Sequence, residues 1–426
     1  MNGTNANGIL IKNGLVIDPV SKMQETRNIK IKNGKIVADS LGVAKEFDAG
    51  GFIVMPGWID LHTHTRDPGF THKEDLASAS KSAIAGGYAS IVAMPNTKPA
   101  IDNPSAVDYV LQKAKNLEAN VFCSAAITIG QTGEELVDFM ALKNAGAVYF
   151  TDDGNPVQDA KVMRSALEEA KKAGVLLAQH CEDKNSVKGC ACMGEGAAAK
   201  LGFKGFPREA ELNCVERDLQ MVEDLGAREH FLHMSLKESV DAIAKAKARG
   251  LKVTAEATPH HFALTEEALL ERGANAKMNP PLRGDKDVKA VLEGLKKGVF
   301  DVIGTDHAPH TAEEKTAGWE KAPNGIVGLE TAVALCVTHL IETKTLSWIQ
   351  LAEKTSFNPA KLIGCETKGS LKPGFDADVT IIDPELEWTV DASKFKSKSK
   401  NTPWDGVTLK GKAVAVVAKG ILYELQ

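Results

Sequence analysis

No stretch of this chain is apolar enough to span a membrane, since a run of about 18 uninterrupted apolar residues does not occur in it. The opening residues, MNGTNANG, are polar and lack the basic-then-apolar order of a secretory leader, so no export signal is expected. Cysteine is sparse and unpatterned. There are seven in 426 residues, an odd number, and although Cys190 and Cys192 are neighbours, no second pair stands at zinc-finger spacing. A disulfide framework and a cysteine-built metal site are therefore not expected, and the thiols read as reduced and cytosolic. Nor is there a surplus of one charge. The net charge of −5 gives no argument for nucleic acid or for an anionic membrane. One lysine-rich stretch, SKFKSKSKNTP (393–403), lacks a wider basic face with interleaved aromatics and reads as a solvated loop.

What remains is the composition of an ordinary globular protein, 43% hydrophobic and 25% charged, long enough for one large domain and a small one. From Gly8 to Val54 short β-rich segments alternate apolar and polar residues: ILIKNGLVID, NIKIKNGKIV and FDAGGFIV. Asn-Gly is the favoured tight hairpin turn, so a small antiparallel sheet is predicted. From Trp58 the rhythm becomes strand, loop, helix. The strand candidates are WIDLHTH, ASIVAMPN, NVFCSAAIT, AVYFTDD, VLLAQHC, HFLHMS, LKVTAEATPH and DVIGTDH. Between them lie segments with a 3.6-residue apolar period, such as AKVMRSALEEAKKAG and ELNCVERDLQMVEDLG, most of which stop at glycine. Thr71 with Glu74 predicts a capping box opening the first helix. Eight such units predict an α/β fold, a (β/α)8 TIM-type barrel with its active site at the C-terminal strand ends. An open doubly wound sheet would not gather residues from every strand around one mouth. After Gly369 the β character returns in GSLKPGFDADVTIID, EWTV and VTLKGKAVAVVAKGILYEL. Residues 1–56 and 369–426 are thus expected to build one small β-sandwich-like domain beside a barrel of residues 57–368.

The polar residues that could do chemistry fall at these strand ends. In PGWIDLHTHTRDPGFTHKE (56–74), His62 and His64 are two apart, with Arg66 two further on. Side chains at i and i+2 of a strand share a face, so one strand end offers two imidazoles and a guanidinium, and such an imidazole pair chelates zinc or a similar ion. Asp152 and Asp153 follow the fourth strand, His180 the fifth, His233 the sixth, and Asp306 with His310 the eighth. Four histidines and a bridging carboxylate suffice for two adjacent metal ions, which together can acidify a shared water and polarise a carbonyl. Asp306 is then the carboxylate left to take and return a proton. Asn96 in MPNT and Asn279 before Pro280 could instead shape turns. His260 and His261 read as packing residues or supports behind the site.

Taken together, DLHTHTRDPGFTHKED, MPNTKP, FTDDG, HCED, MNPPLR and GTDHAPHTAEEK resemble dihydroorotase, the amidohydrolase-superfamily enzyme of pyrimidine synthesis, in its bacterial type with a bridging aspartate. The resemblance runs from the N-terminal β segment to the C-terminus. It implies up to two zinc ions per subunit, one on His62, His64 and Asp306, the other on His180 and His233, with Asp153 between them and Asp152 the competing register. It assigns substrate contacts to His64, Arg66, Asn96, Asn279 and His310, and main-chain contacts to Asn324 and Gly325. The implied reaction is the reversible cyclisation of N-carbamoyl-L-aspartate to (S)-dihydroorotate by a metal-bound hydroxide, with Asp306 as general acid and base. It also implies a cytoplasmic homodimer, and allows association with aspartate transcarbamoylase. Two positions depart from the family pattern: Thr65, where an aliphatic residue is usual, and Asn324, where many relatives carry Phe. Dihydropyrimidinases and allantoinases, the rival hydrolases, typically bridge their metals with a carboxylated lysine. No lysine lies between Lys143 and Lys161 here. A catalytically dead homologue would be expected to have lost ligands, and none is missing.

Overall fold

The computed structural model describes residues 3, 8–39, 42 and 45–425. Eight parallel strands run in chain order around one sheet: Trp58–Thr63, Tyr88–Ala93, Asn120–Ala125, Ala147–Thr151, Leu177–Gln179, Arg228–Phe231, Lys252–Ala257 and Val302–Ile303. Closure is made just past the last strand. Thr63 bridges His307 in parallel, His64 N donates to His307 O at 2.8 Å, and buried Asp60 accepts from Thr305 N and Oγ1 at 2.8 and 2.7 Å. The first and eighth strand ends are thereby brought side by side. This is the (β/α)8 barrel.

Alternation along the strands separates two apolar sets. Ile91, Phe150, Leu177, Phe231 and Ile303 pack with helix residues such as Met163, Val215 and Leu219. Their neighbours Val92, Tyr149, Ala178, Leu232 and Val302 form a different cluster on the opposite strand face, toward the barrel interior. The helix Ala160–Ala173 shows how the outer layer is specified. It buries Met163, Ala166, Leu167 and Ala170, the Asp159 side chain accepts from the amides of Lys161 and Val162, and left-handed Gly174 ends it.

Both chain ends meet in a second eight-stranded sheet. Its order is Ile421–Glu424, Thr408–Ala418, Val379–Thr389, Ile53–Pro56, Ile9–Asp18, Met23–Lys32, Lys35–Val37, with Lys45–Asp48 also paired to Ile9–Asp18. Gly57 N donates to Asp378 O at 2.8 Å and Trp58 N to Thr380 Oγ1 at 3.0 Å, so this sheet is bonded to the start of the barrel. Among the described residues no helix is long and apolar enough to cross a membrane. All seven cysteines are unpaired.

Four local expectations change. Asn33-Gly34 is the turn between Met23–Lys32 and Lys35–Val37, but Asn13-Gly14 lies inside the strand Ile9–Asp18 at a register shift. Glycine is needed there for closeness, since a Cβ on Gly14 would stand 2.4 Å from Val54 Cγ2. The same strand pairs in parallel with Lys45–Asp48 and Ile53–Pro56, so the sheet is mixed where an antiparallel one was expected. The first barrel helix is Leu76–Ala85, and its capping box is Asp75 with Ser78. Thr71 and Glu74 do not form it. Glu74 is buried against His307 Nε2 at 3.3 Å and also accepts from Ser397 Oγ. Finally, 393–403 is not a solvated loop. Phe395, Ser397, Ser399 and Asn401 are buried while Lys394, Lys396, Lys398 and Lys400 are exposed, a period of two that points alternate residues at the barrel.

Candidate active site

The four predicted histidines and two of the predicted carboxylates converge. Asp153 is the hub: its Oδ1 lies 3.6 Å from His62 Nε2, 3.5 Å from His180 Nδ1 and 3.4 Å from His233 Nε2, while its Oδ2 is 3.4 Å from His64 Nε2. Asp306 Oδ1 lies 3.4 Å from His62 Nε2 and 3.0 Å from His64 Nε2. Asp152 faces away. Its carboxylate accepts from the amides of Ile127 and Thr128 and from Thr128 Oγ1, anchoring a neighbouring loop. His233 and Asp306, with Arg66, have left-handed backbone at φ 33°, 47° and 58°. Such conformations cost of order 1–3 kcal/mol each in non-glycine residues and concentrate at functional sites.

The remaining ring nitrogens decide how these imidazoles present themselves. His62 Nδ1 meets Glu256 Oε1 at 2.9 Å, His64 Nδ1 meets Asn96 Oδ1 at 2.9 Å, and His180 Nε2 meets Glu182 Oε2 at 3.2 Å. An N–H donated outward to an oxygen leaves the inward nitrogen with its lone pair, the arrangement that supports metal ligation. Buried His62 Nε2 and Asp153 Oδ1 have no hydrogen-bond partner, and two groups, His62/His64/Asp153 and Asp153/His180/His233, could each hold a metal ion. The donor set therefore fits a pair of divalent cations sharing Asp153. Burial opposes the His62 imidazolium, but Glu256, Asp153 and Asp306 outweigh it and raise its pKa well above the ordinary value. Burial also opposes ionisation of Asp306, yet His62, His64 and His233 hold its carboxyl far below the usual range.

A third group, Cys181, Cys214 and Asp218, is also buried and close-set. It already has its cation, because Arg217 donates to both Asp218 oxygens at 2.8 and 3.1 Å and to Cys214 Sγ at 3.5 Å.

A cavity of about 260 Å³ opens over the histidines, lined by His64, Arg66, Asn96, Asn279, His310, Asn324 and Gly325 among others. Every residue assigned to substrate by the resemblance therefore faces one space. Arg66 Nε donates to Pro309 O at 3.2 Å and its Nη2 lies 3.3 Å from His310 Nε2; burial lowers its pKa only to about 10, so it stays charged. Burial, Arg66, Lys73 and Lys315 push the His310 pKa down to about 2 and keep that ring neutral. Asn279 Nδ2 donates to Glu182 Oε2 at 2.5 Å. Gly325 has φ +127°, and a Cβ there would stand 2.5 Å from Ala308 Cβ, so the close approach of this segment needs glycine. Thr65 is buried with Oγ1 unpartnered, as is Asn324 Oδ1.

Four contributors were missed in the sequence. Glu182, two residues after His180, and Glu256, at the seventh strand's end, support ligand candidates. Lys184 lines the cavity and pairs with Glu182 at 2.8 Å. Asn401 accepts from His310 N at 3.1 Å and donates to Ala308 O and Gly325 O at 3.1 and 3.0 Å, so the 393–403 segment fastens the cavity wall. The period of two in that segment was the available signal. His260 and His261 are buried, with His261 Nε2 3.0 Å from Pro280 O. A larger cleft of about 910 Å³, beside Trp388 and Phe395, includes none of the clustered histidines in its lining.

A closed parallel barrel whose strand ends bring imidazoles and carboxylates to the floor of a small cavity defines a barrel amidohydrolase. In shape the chain is similar to the L-hydantoinase (dihydropyrimidinase) of Arthrobacter aurescens, with a TM-score of 0.89 and 27% identity over 98% of this chain and 96% of that one. Residues 51–239 match the family described as Dihydro-orotase-like. The chain is 46% identical to the dihydroorotase of Pelotomaculum thermopropionicum over 97% of both chains, and 46% identical to that of Clostridioides difficile over 97% and 98%. It belongs to the dihydroorotase family.

Proposed function

We propose that this chain is a dihydroorotase of pyrimidine biosynthesis, interconverting N-carbamoyl-L-aspartate and (S)-dihydroorotate plus water. The observation that carries this reading is a charged, half-buried Arg66 facing the same 260 Å³ cavity as the His–Asp cluster, in a chain about 45% identical end to end to dihydroorotases. His62, His64 and Asp306 would hold one zinc ion, His180 and His233 another, and Asp153 both. Bound there, divalent ions supply Lewis acidity and a water that ionises near neutral pH.

The chain's own groups do the rest. Arg66, with Asn96 and His310, receives the ring carboxylate, a charge-assisted contact that a neutral ring cannot make. His64, Asn279 and the main chain of Asn324 and Gly325 orient the ring against the carboxylates. Asp306 moves the proton: as the C–O bond forms and the ring C–N bond breaks, it takes a proton from the attacking water and returns it to the leaving nitrogen. In the biosynthetic direction it takes that proton from the ureido nitrogen and gives it to the departing oxygen.

The barrel of residues 57–368 and a unit made of residues 1–56 and 369–426 are taken as the two domains. The chain is taken to be a cytoplasmic homodimer able to associate with aspartate transcarbamoylase. Turnover of dihydroorotate, dihydrouracil and allantoin by one preparation tests the substrate assignment. Dihydroorotate is expected to be strongly preferred; preference for either neutral ring overturns it.

A further inference from the structure

Behind the cavity wall two lysines are almost fully buried, Lys315 at 5% exposure and Lys277 at 4%. Main-chain carbonyls take up both side chains. Lys315 Nζ donates to Lys277 O at 3.2 Å and to Pro323 O and Gly325 O at 2.9 Å each. Lys277 Nζ donates to Trp319 O at 2.6 Å and Ala322 O at 2.7 Å. An ammonium has three N–H donors, and Lys315 has three acceptors for them.

Those acceptors come from the two segments that carry cavity-facing groups. Lys277 lies two residues before Asn279, and Pro323 and Gly325 flank Asn324, whose own carbonyl is 2.9 Å from His310 Nε2. Gly325 N donates back to Lys277 O at 2.9 Å, so the two segments are laced at one point by backbone and at three by Lys315. Burying an ammonium is costly, and an apolar side chain of similar length would avoid that cost. It would also strip three carbonyls of their shared donor directly behind the cavity wall.

We propose that Lys315 is a positioning residue for substrate: its ammonium ties the Lys277–Asn279 and Pro323–Gly325 segments together. It thereby sets Asn279, the main chain of Asn324 and Gly325, and the His310 ring at the spacing the dihydroorotate ring requires. This rests on the dihydroorotase reading.

The charge state gives the device a signature. Burial first, and then neighbouring Lys277, lower the Lys315 pKa to about 7, against weaker opposing effects from the Cys192 thiol and Glu314. His72, Arg272, Lys398 and Lys400 line the cleft on its other side. A neutral amine keeps two donors and loses its hold on one carbonyl. KM should therefore rise as pH passes through about 7 and level off above it. Between about 7 and the ordinary 10.5 the unfolded chain binds the extra proton, so this group makes overall stability rise with pH. A merely structural lysine would not separate the two observables in this way.

The test is steady-state hydrolysis of dihydroorotate by the metal-loaded wild type and Lys315→Met, with metal content and melting temperature measured on the same samples. In the variant KM is expected to rise about tenfold or more, the scale of one lost hydrogen bond to a charged group. Metal content should be unchanged and kcat within about threefold, marking lost ground-state binding. Its rise in KM near pH 7 should vanish, and Lys315→Arg, which keeps a cation, should recover part of the loss. A folded Lys315→Met chain with wild-type KM, or a defect confined to kcat with lost metal, overturns the inference. If that variant does not fold, the wild-type profile decides: a KM that stays flat as pH passes through about 7 overturns it. A wild type inactive on dihydroorotate overturns the functional reading as well, whereas wild-type turnover with an unmoved KM in the variant overturns this inference alone.

Discussion

Three of the four clustered histidines give one ring nitrogen to an oxygen of Glu256, Asn96 or Glu182 and turn the other toward Asp153. These outer partners fix the ring orientation, so Glu256→Gln and Glu182→Gln are expected to weaken metal affinity by roughly 10- to 100-fold while the chain stays folded. Competition titration against a chromophoric chelator measures this, and unchanged affinity in both variants would remove the orienting role. Asp306→Ala leaves five of the six donors in place. It should retain metal yet lose about 10²–10⁴ in kcat if Asp306 moves the proton; near-normal turnover would deny it that role. The ligand types and spacings were legible in the sequence because strand periodicity places i and i+2 on one face. The choice between Asp152 and Asp153 was not, since adjacent strand-end residues differ only in which way the backbone turns. Glu182 and Glu256 were passed over because a buried carboxylate behind an imidazole has no spacing rule of its own.

At the scale of elements, the strand Arg228–Phe231 places Glu229 against the helix Glu209–Leu225. Both its carboxylate oxygens are buried without a hydrogen-bond partner. Burial first, then Asp218 and Cys214, raise its pKa well above 4.5, with Arg217 opposing. The native chain thus keeps a proton that the unfolded chain loses above that value, so this residue makes stability fall as pH rises from 4.5 toward its raised pKa. Glu229→Met should therefore stabilise the protein by about 1–3 kcal/mol on the alkaline side of that range, where the wild type bears the full cost of the carboxyl. Urea-unfolding midpoints across pH would show it; a variant less stable than wild type at pH 8 would mean that Glu229 has a partner. Helices such as Ala160–Ala173 were readable because apolar period, Asp cap and terminal glycine agreed. The first barrel helix was misread at its start, since Thr71/Glu74 and Asp75/Ser78 offer competing caps and burial of Glu74 beside His307 decides between them. Asn13-Gly14 failed as a turn for a related reason: contact with Val54, distant in sequence, uses the glycine.

For the whole molecule, the number of strand–helix units was enough to define the barrel, because only a closed ring brings eight strand ends to one mouth. What the sequence left hidden was how the chain ends serve that mouth. The segment 393–403 returns to the barrel and inserts Asn401 between His310, Ala308 and Gly325. Its lysines masked this, since they are the residues on the solvent side of an alternating strip. Asn401→Ala removes three hydrogen bonds at the cavity wall. It is expected to raise KM for dihydroorotate about tenfold while leaving metal content unchanged; kinetics with metal analysis on that variant would detect either failure. The central claim concerns the whole ring of strands: six donors from five of them act as one divalent-metal centre on which turnover depends. Metal analysis before and after chelation, with dihydroorotate turnover followed on the same samples, tests it most directly. The expected result is about two divalent ions per chain, loss of activity on stripping, recovery when zinc is returned, and little metal in Asp153→Ala. Undiminished turnover by the stripped chain would contradict it.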